Sequence, residues 1–248
     1  MSASLPRTSA ILVAAGQSQR LQAHDDAGKQ TRKPFVLLEG LTVLEHACNA
    51  FSRVEAVTEI VIVGHREDLV LLGRMAASSA ALRKVRQILP GGELRSDSVA
   101  AGVEASSSSS ELVAIHDVAR PLIRPETIER ALALAGEQGS ALVAVPMNDT
   151  VKISSDGKRS ESTLDRSVLW CAQTPQVFRR ETFRELLARA RAEGFRPTDD
   201  SAIWEKYVAA VPLVRGDVSN FKLTSPEDLE LAGAILRSRR KQQEAQGS

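Results

Sequence analysis

Ala14, Ala15 and Gly16 form a run without bulk directly after the apolar residues 10–13. Small side chains at such a point let backbone N–H groups come close to phosphate oxygens. Two cations follow, Arg20 and, after a polar excursion, Lys33. A bare backbone beside two positive charges suits a triphosphate, and the cations could offset charge that builds during phosphoryl or nucleotidyl transfer. A glycine turn with a purely structural duty would look the same on these residues alone.

Further groups capable of chemistry recur along the chain. Gly91-Gly92-Glu93-Leu94-Arg95-Ser96-Asp97-Ser98 is a double glycine leading into a helix start. It could offer N–H groups to a base or phosphate, or be a plain turn and cap. In His116-Asp117-Val118-Ala119-Arg120-Pro121, Asp117 could touch a metal ion or a substrate hydroxyl, and Arg120 could grip a phosphate with two parallel hydrogen bonds. An internal Asp117–Arg120 ion pair that shapes the loop is the bland alternative, and His116 reads more readily as structural than as catalytic. Asn148-Asp149-Thr150-Val151-Lys152 follows, then Asp165-Arg166, Trp170 and Thr174-Pro175-Gln176. Thr198-Asp199-Asp200 reads as a helix cap with acidic first-turn residues, and Lys222 precedes a final cap.

The elements that must position these groups follow from hydrophobic spacing. Short apolar runs at 10–14, 59–63, 85–89, 112–116, 141–146 and 208–215 predict strands. Helical spacing occurs at 42–52, 68–80, 96–105 and 125–135, with a last helix from Pro226 to about Arg239 and a polar, frayed tail at about 240–248. Thr42 and Glu45 have capping-box spacing, and Pro125 suits a first helical turn. The alternation predicts an α/β fold with a mostly parallel sheet and helices on both faces. Ligands of such sheets bind beyond the carboxyl ends of the strands. That rule puts Ala14–Gly16, residues 90–92, 116–120 and 146–150 along one rim. Residues 150–170 break the alternation and carry Asp156-Gly157, a hairpin signal, so an arm is expected there. The whole chain, 1–248, is expected to form one domain.

Composition narrows the function. A formal net charge of +1 leaves no broad electrostatic footprint for nucleic acid. No run of about 18 apolar residues is present, so no membrane span is expected. The cysteines, Cys48 and Cys171, are far apart and form no CxxC, which fits reduced thiols in a cytoplasmic protein. Walker A, G-x-S-x-G and G-x-G-x-x-G patterns and a Cys/His metal cluster are missing.

Taken in order, AAG…R, K with TVLEH after it, GGxxRxDSV, HDxARP, DTVK, DR…LW…TPQ, TDD and NFKLTSPEDL resemble the 2-C-methyl-D-erythritol 4-phosphate cytidylyltransferases of the non-mevalonate isoprenoid pathway. The resemblance runs from Ala10 to about Leu231. It implies a Rossmann-like nucleotidyltransferase fold, a homodimer built on a swapped arm at about 150–170, and the ligands CTP, Mg²⁺ and a methylerythritol phosphate. It also implies roles. Ala14, Ala15 and Gly16 would cradle the triphosphate, and Arg20 and Lys33 would stabilise the transition state. Gly92 and Ser98, with the backbone of Val118, would hold the cytosine and ribose region. Asp117, Arg120, Thr150, Thr174 and Thr198 would contact the sugar phosphate. Lys222 and the Arg166 of a second copy would position its phosphate. Mg²⁺ would be held mainly by the CTP phosphates.

Two features depart from the family pattern. The segment 24–32 is longer than expected, and Lys29 within it rivals Lys33 for the triphosphate; the spacing to Thr42 favours Lys33. Asp200 stands where a Glu is expected. Two other functions share the same motifs. One is a cytidylyltransferase for another polyol phosphate such as ribitol 5-phosphate. The other is a catalytically silent nucleotide-binding dimer module.

Overall fold

The computed structural model describes residues 4–16, 23–24 and 30–246. Its centre is a seven-stranded sheet. In chain order the strands are β1 (Thr8–Val13), β2 (Val57–Gly64), β3 (Val85–Pro90), β4 (Leu112–Asp117), β5 (Ser140–Pro146), β6 (Trp170–Arg179) and β7 (Leu213–Arg215). Across the sheet they lie in the order β7-β5-β6-β4-β1-β2-β3. β1 pairs in parallel with β2 and β4, β2 with β3, and β5 with β7. β6 runs antiparallel between β4 and β5.

The helices are α1 (Val43–Ser52), α2 (Leu69–Ser78), α3 (Arg95–Ala105), α4 (Pro125–Gln138), α5 (Arg180–Ala192), α6 (Ser201–Tyr207) and α7 (Pro226–Gln246). β1 is sandwiched, as an inner parallel strand should be, which is why it reads as an unbroken apolar run. Ala10 and Leu12 face a core shared with Leu44, Phe51, Ile128 and Leu132. Ile11 faces the other core, with Val99, Val103, Phe183 and Trp204. Both capping expectations hold. Thr42 accepts from the N–H of Glu45, whose carboxylate accepts from the N–H of Thr42, and Pro125 opens α4.

Strands expected at 10–14, 59–63, 85–89, 112–116 and 141–146 all occur, with ends shifted by up to two residues. The strand expected at 208–215 shrinks to Leu213–Arg215, because α6 reaches Tyr207 and Pro212 can give no ladder hydrogen bond. The tail is not frayed as expected: α7 continues to Gln246. The arm holds an antiparallel pair, with Lys152 opposite Thr163 and Ile153 opposite Ser162. Its Asp156-Gly157 turn is wider than a tight hairpin. Gly157 has φ +67°, and the Asp156 carboxylate accepts from the N–H groups of Lys158 and Arg159.

Both cysteines are free, and Cys48 is fully buried, where burial pushes its thiol pKa up and leaves it unreactive. Among the described residues no helix is long and apolar enough to cross a membrane.

Candidate active site

Strand order reverses beside β1: β2 and β3 lie on one side of it, β4 on the other. The β1 loop leads to α1 in one core and the β3 loop to α3 in the other, on the opposite face, and a crevice opens beyond the carboxyl ends of these strands. A cleft of about 620 Å³ lies there, with Ala14, Ala15, Gly16, Lys33, Gly91, Gly92, Ser98, Asp117, Val118 and Lys222 in its walls.

The first loop is held at its base. Ala14 donates its N–H to the carbonyl of Val63 at 2.8 Å. The N–H groups of Ala15 and Gly16 find no acceptor among the described residues, which leaves two donors for an anion. Close packing dictates the glycines after β3. A Cβ on Gly91 would stand 2.3 Å from that of Ala15, and one on Gly92 would stand 2.4 Å from that of Asp97. Ser98 fastens this turn, accepting from the N–H of Gly92 at 3.1 Å. Val118 donates to the carbonyl of Val13 at 3.1 Å and so joins the β1 and β4 loops.

Charge concentrates on Asp117. One carboxylate oxygen lies 3.0 Å from Nε of Arg95, and the other 2.7 Å from Nζ of Lys222. Arg95 reaches on to Asp200, with Nη2 at 2.8 Å from Oδ2. Burial alone would raise the pKa of Asp117, but these two cations outweigh it and hold the carboxyl well below the usual carboxylate range. Asp200, 1% exposed, is shifted upward by its burial despite Arg95. Lys33 sits at the first turn of the short helix Lys33–Phe35, and its ammonium donates to the carbonyl of Leu223. The residue before it, Arg32, pairs with Asp68 at 2.5 Å and with Glu67.

Below this surface a hydrogen-bond chain fixes the β4 loop. The Arg120 carbonyl can only accept, so the contact at 3.1 Å makes Nε2 of His116 the protonated nitrogen. Nδ1 then accepts from the Thr174 hydroxyl at 2.9 Å, and that oxygen accepts from the N–H of Asp117 at 3.1 Å. His116 is fully buried and burial lowers its pKa to about 4, so it is a neutral strut.

The expected site residues thus separate. Lys33, Lys222, Asp117, Val118, Gly92 and Ser98 meet in the cleft with Ala14–Gly16. Thr174 stands behind it, its hydroxyl used on His116 and Asp117. Arg120 donates to the carbonyls of Asn220 at 2.9 Å and Ala172 at 3.3 Å, and no ion pair joins it to Asp117 among the described residues. Thr150 and Arg166 are exposed near the arm, with Nη1 of Arg166 on the carbonyl of Asn148 at 2.6 Å, and Thr198 is exposed before α6. Arg20 and Lys29 lie outside the described residues. Sequence reasoning gave Arg95 no role, although the GGxxRxDSV motif contains it: its partners lie 22 and 105 residues away, so no local spacing signals the cluster.

A doubly flanked α/β sheet with a bare phosphate loop and a cationic rim defines a nucleotidyltransferase-like protein. The chain belongs to the 2-C-methyl-D-erythritol 4-phosphate cytidylyltransferase (IspD) family, whose model matches residues 8–238. It is 35% identical over 236 residues to the cytidylyltransferase of that name from Alkaliphilus oremlandii, covering 95% of this chain and 98% of the relative. Identity to the corresponding protein of Caldanaerobacter subterraneus is 38%, covering 92% of this chain and 98% of the relative. Among solved structures, the 4-diphosphocytidyl-2C-methyl-D-erythritol synthase of Anaerococcus prevotii superposes with a TM-score of 0.79 at 29% identity, covering 94% and 96% of the two chains. The Thermus thermophilus cytidylyltransferase gives 0.74 at 30% identity, covering 92% and 98%.

Proposed function

We propose that this chain joins CTP and 2-C-methyl-D-erythritol 4-phosphate, releasing diphosphate and forming the CDP-methylerythritol product. A phosphate oxygen of the sugar phosphate attacks the α-phosphorus of CTP, and diphosphate leaves. The second pKa of a phosphate monoester is about 6, so the attacking oxygen is already ionised near neutral pH and needs no general base. That agrees with His116 being buried, neutral and engaged at both nitrogens.

The observation that carries this reading is the cleft itself, whose walls hold the open N–H groups of Ala15 and Gly16 together with the Lys222–Asp117 pair. Bringing two anions together is the main obstacle, and fixed cations offset it. Lys33 and Arg20 act on the triphosphate, and Lys222 on the sugar phosphate. Gly92, Ser98 and Val118 shape the nucleoside half. Asp117 accepts from substrate hydroxyls, with Thr174 and Arg120 bracing its loop, and Thr150 and Thr198 add contacts to the sugar phosphate.

Among the described residues no three His, Cys, Asp or Glu side chains gather as a metal cage. Mg²⁺ would arrive on the triphosphate, since that ion keeps phosphate and water ligands. When bound, the ion neutralises phosphate charge.

The arm supports a homodimer. Ile153, Leu164, Val168 and Trp170 expose apolar surface there, and in an arm-built dimer the Arg166 beside them would serve a second copy's site. The protein works in the cytoplasm, in keeping with its free thiols.

Diphosphate release from CTP and Mg²⁺, with methylerythritol 4-phosphate and ribitol 5-phosphate side by side, tests the function. Release with the first alone supports it. Release with the second alone moves the activity to another polyol, and CTP binding without release leaves a silent nucleotide-binding module.

A further inference from the structure

Arg95 opens α3 immediately after the double-glycine turn, and its guanidinium is shared by two carboxylates from distant parts of the chain. The two differ in setting. Asp117 lies in the cleft wall, whereas Asp200, 1% exposed, sits at the start of α6. Among the described residues Arg95 is the only cation within ion-pair distance of Asp200. A buried carboxylate without a partner is strongly destabilising, so Asp200 holds the guanidinium in one place. The planar fork then presents Nε to Asp117 in a fixed direction. With Arg95 on one oxygen and Lys222 on the other, the carboxylate of Asp117 has no freedom to turn.

The formal charges of Arg95, Lys222, Asp117 and Asp200 sum to zero. The quartet therefore does little to attract an anion from a distance, and its contribution is geometric. It also joins separate parts of the cleft wall: Arg95 from α3, Asp117 from β4 and Lys222 from the chain before α7.

We propose that Arg95, anchored by the buried Asp200, is a positioning residue that fixes Asp117, and through it Lys222, for the polyol phosphate. The inference rests on the cytidylyltransferase reading above. Asp200 has a defined part in it, as the anchor that keeps the guanidinium from following the substrate.

The test is steady-state diphosphate release by the full chain, each substrate varied in turn, for Arg95→Met, Arg95→Lys and Asp200→Asn. Loss of a charged, partly buried hydrogen bond predicts that Arg95→Met lowers kcat/KM for the polyol phosphate about 10- to 100-fold. Its KM for CTP should stay within about threefold, because among the described residues Arg95 makes no hydrogen bond to Ala14–Gly16. Arg95→Lys should recover part of the loss, since one ammonium keeps the charge but cannot bridge both carboxylates. Asp200→Asn should shift the same parameter in the same direction by less.

Arg95→Met could misfold through the orphaned Asp200, so the double variant Arg95→Met/Asp200→Asn, which removes that charge, is measured beside it. Calorimetric CTP binding by the double variant reports that its nucleotide half is formed. An unchanged kcat/KM for the polyol phosphate in a CTP-binding double variant overturns the proposal. So do equal losses toward both substrates, which mark Arg95 as a general brace. If the unaltered chain releases no diphosphate, the cytidylyltransferase reading falls and this inference with it.

Discussion

Lys222 and Asp117, 105 residues apart in the chain, meet as an ion pair of 2.7 Å on the rim of the cleft. The pair is asymmetric: the Lys222 side chain is 45% exposed and that of Asp117 only 13%. An incoming phosphate can therefore share the ammonium, while the carboxylate stays held by Arg95. Lys222→Ala is expected to lower kcat/KM for the sugar phosphate by ~10²–10³, the range for losing one preorganised contact to developing charge. Steady-state kinetics check it, and a loss under about threefold would remove Lys222 from the reaction.

Lys33 is the other lysine in the cleft wall. Its helix turn begins at the residue after Arg32, which is tied to Asp68. Lys33→Ala is expected to slow turnover by ~10²–10³. Lys29→Ala, assayed in parallel, should remain near the unaltered rate. The reverse pattern would reassign the triphosphate lysine.

The arm offers a separate prediction about assembly. Val168 is 73% exposed on a short helical turn beside Trp170, a costly arrangement for a side chain that meets only water. Val168→Asp would place a charge in the interface of an arm-mediated dimer. Light scattering should then report the mass of one chain instead of two. A monomeric unaltered protein would contradict the dimer outright.

Stability is concentrated around β6. Phe178 is fully buried, stacked on Phe183 with ring centroids 4.1 Å apart and beside Trp204 at 5.6 Å. Phe178→Ala should cost about 3–5 kcal/mol, from lost burial plus the cavity left behind. Urea unfolding should show a lower midpoint with an unchanged slope.

The core strands were legible because inner parallel strands are apolar on both faces, as β1 and β2 are. The helix starts at Thr42 and Pro125 were legible through local chemistry. β6 was not, although it lies in mid-sheet. Pro175 interrupts it, and Gln173, Thr174 and Gln176 are polar, which reads as loop. Their polar groups are satisfied by residues far along the chain: Gln176 donates to Asp199, and Gln173 to the carbonyl of Asp217. The same limit hid the role of Arg95. The glycine loop and Lys33 stood out by type and order, and Lys222 through the family resemblance, but the Arg95–Asp117–Asp200 bridge exists only once α3, β4 and α6 are brought together.

His116 yields a prediction with a definite sign. Its ring is fully buried against Phe51, with centroids 5.1 Å apart, and desolvation lowers its pKa from 6.5 to about 4. The neighbouring Asp117 favours the charged form but is outweighed. In the unfolded chain the same imidazole takes up a proton near its ordinary pKa. Between about pH 6.5 and 4 the unfolded state therefore binds more protons, and stability rises with pH. The contribution is complete above about 6.5, falls progressively with acid, and is exhausted near 4. The gap between the two pKa values corresponds to about 3 kcal/mol. His116→Gln, which does not titrate, should be less stable at neutral pH, because it disrupts the contacts to Thr174 and the Arg120 carbonyl. Its unfolding free energy, from urea titrations at half-unit pH intervals, should decline less steeply over that window. Parallel curves for the two proteins would show that His116 is not protonated differently in the folded and unfolded states, and the strut assigned here would have to carry charge.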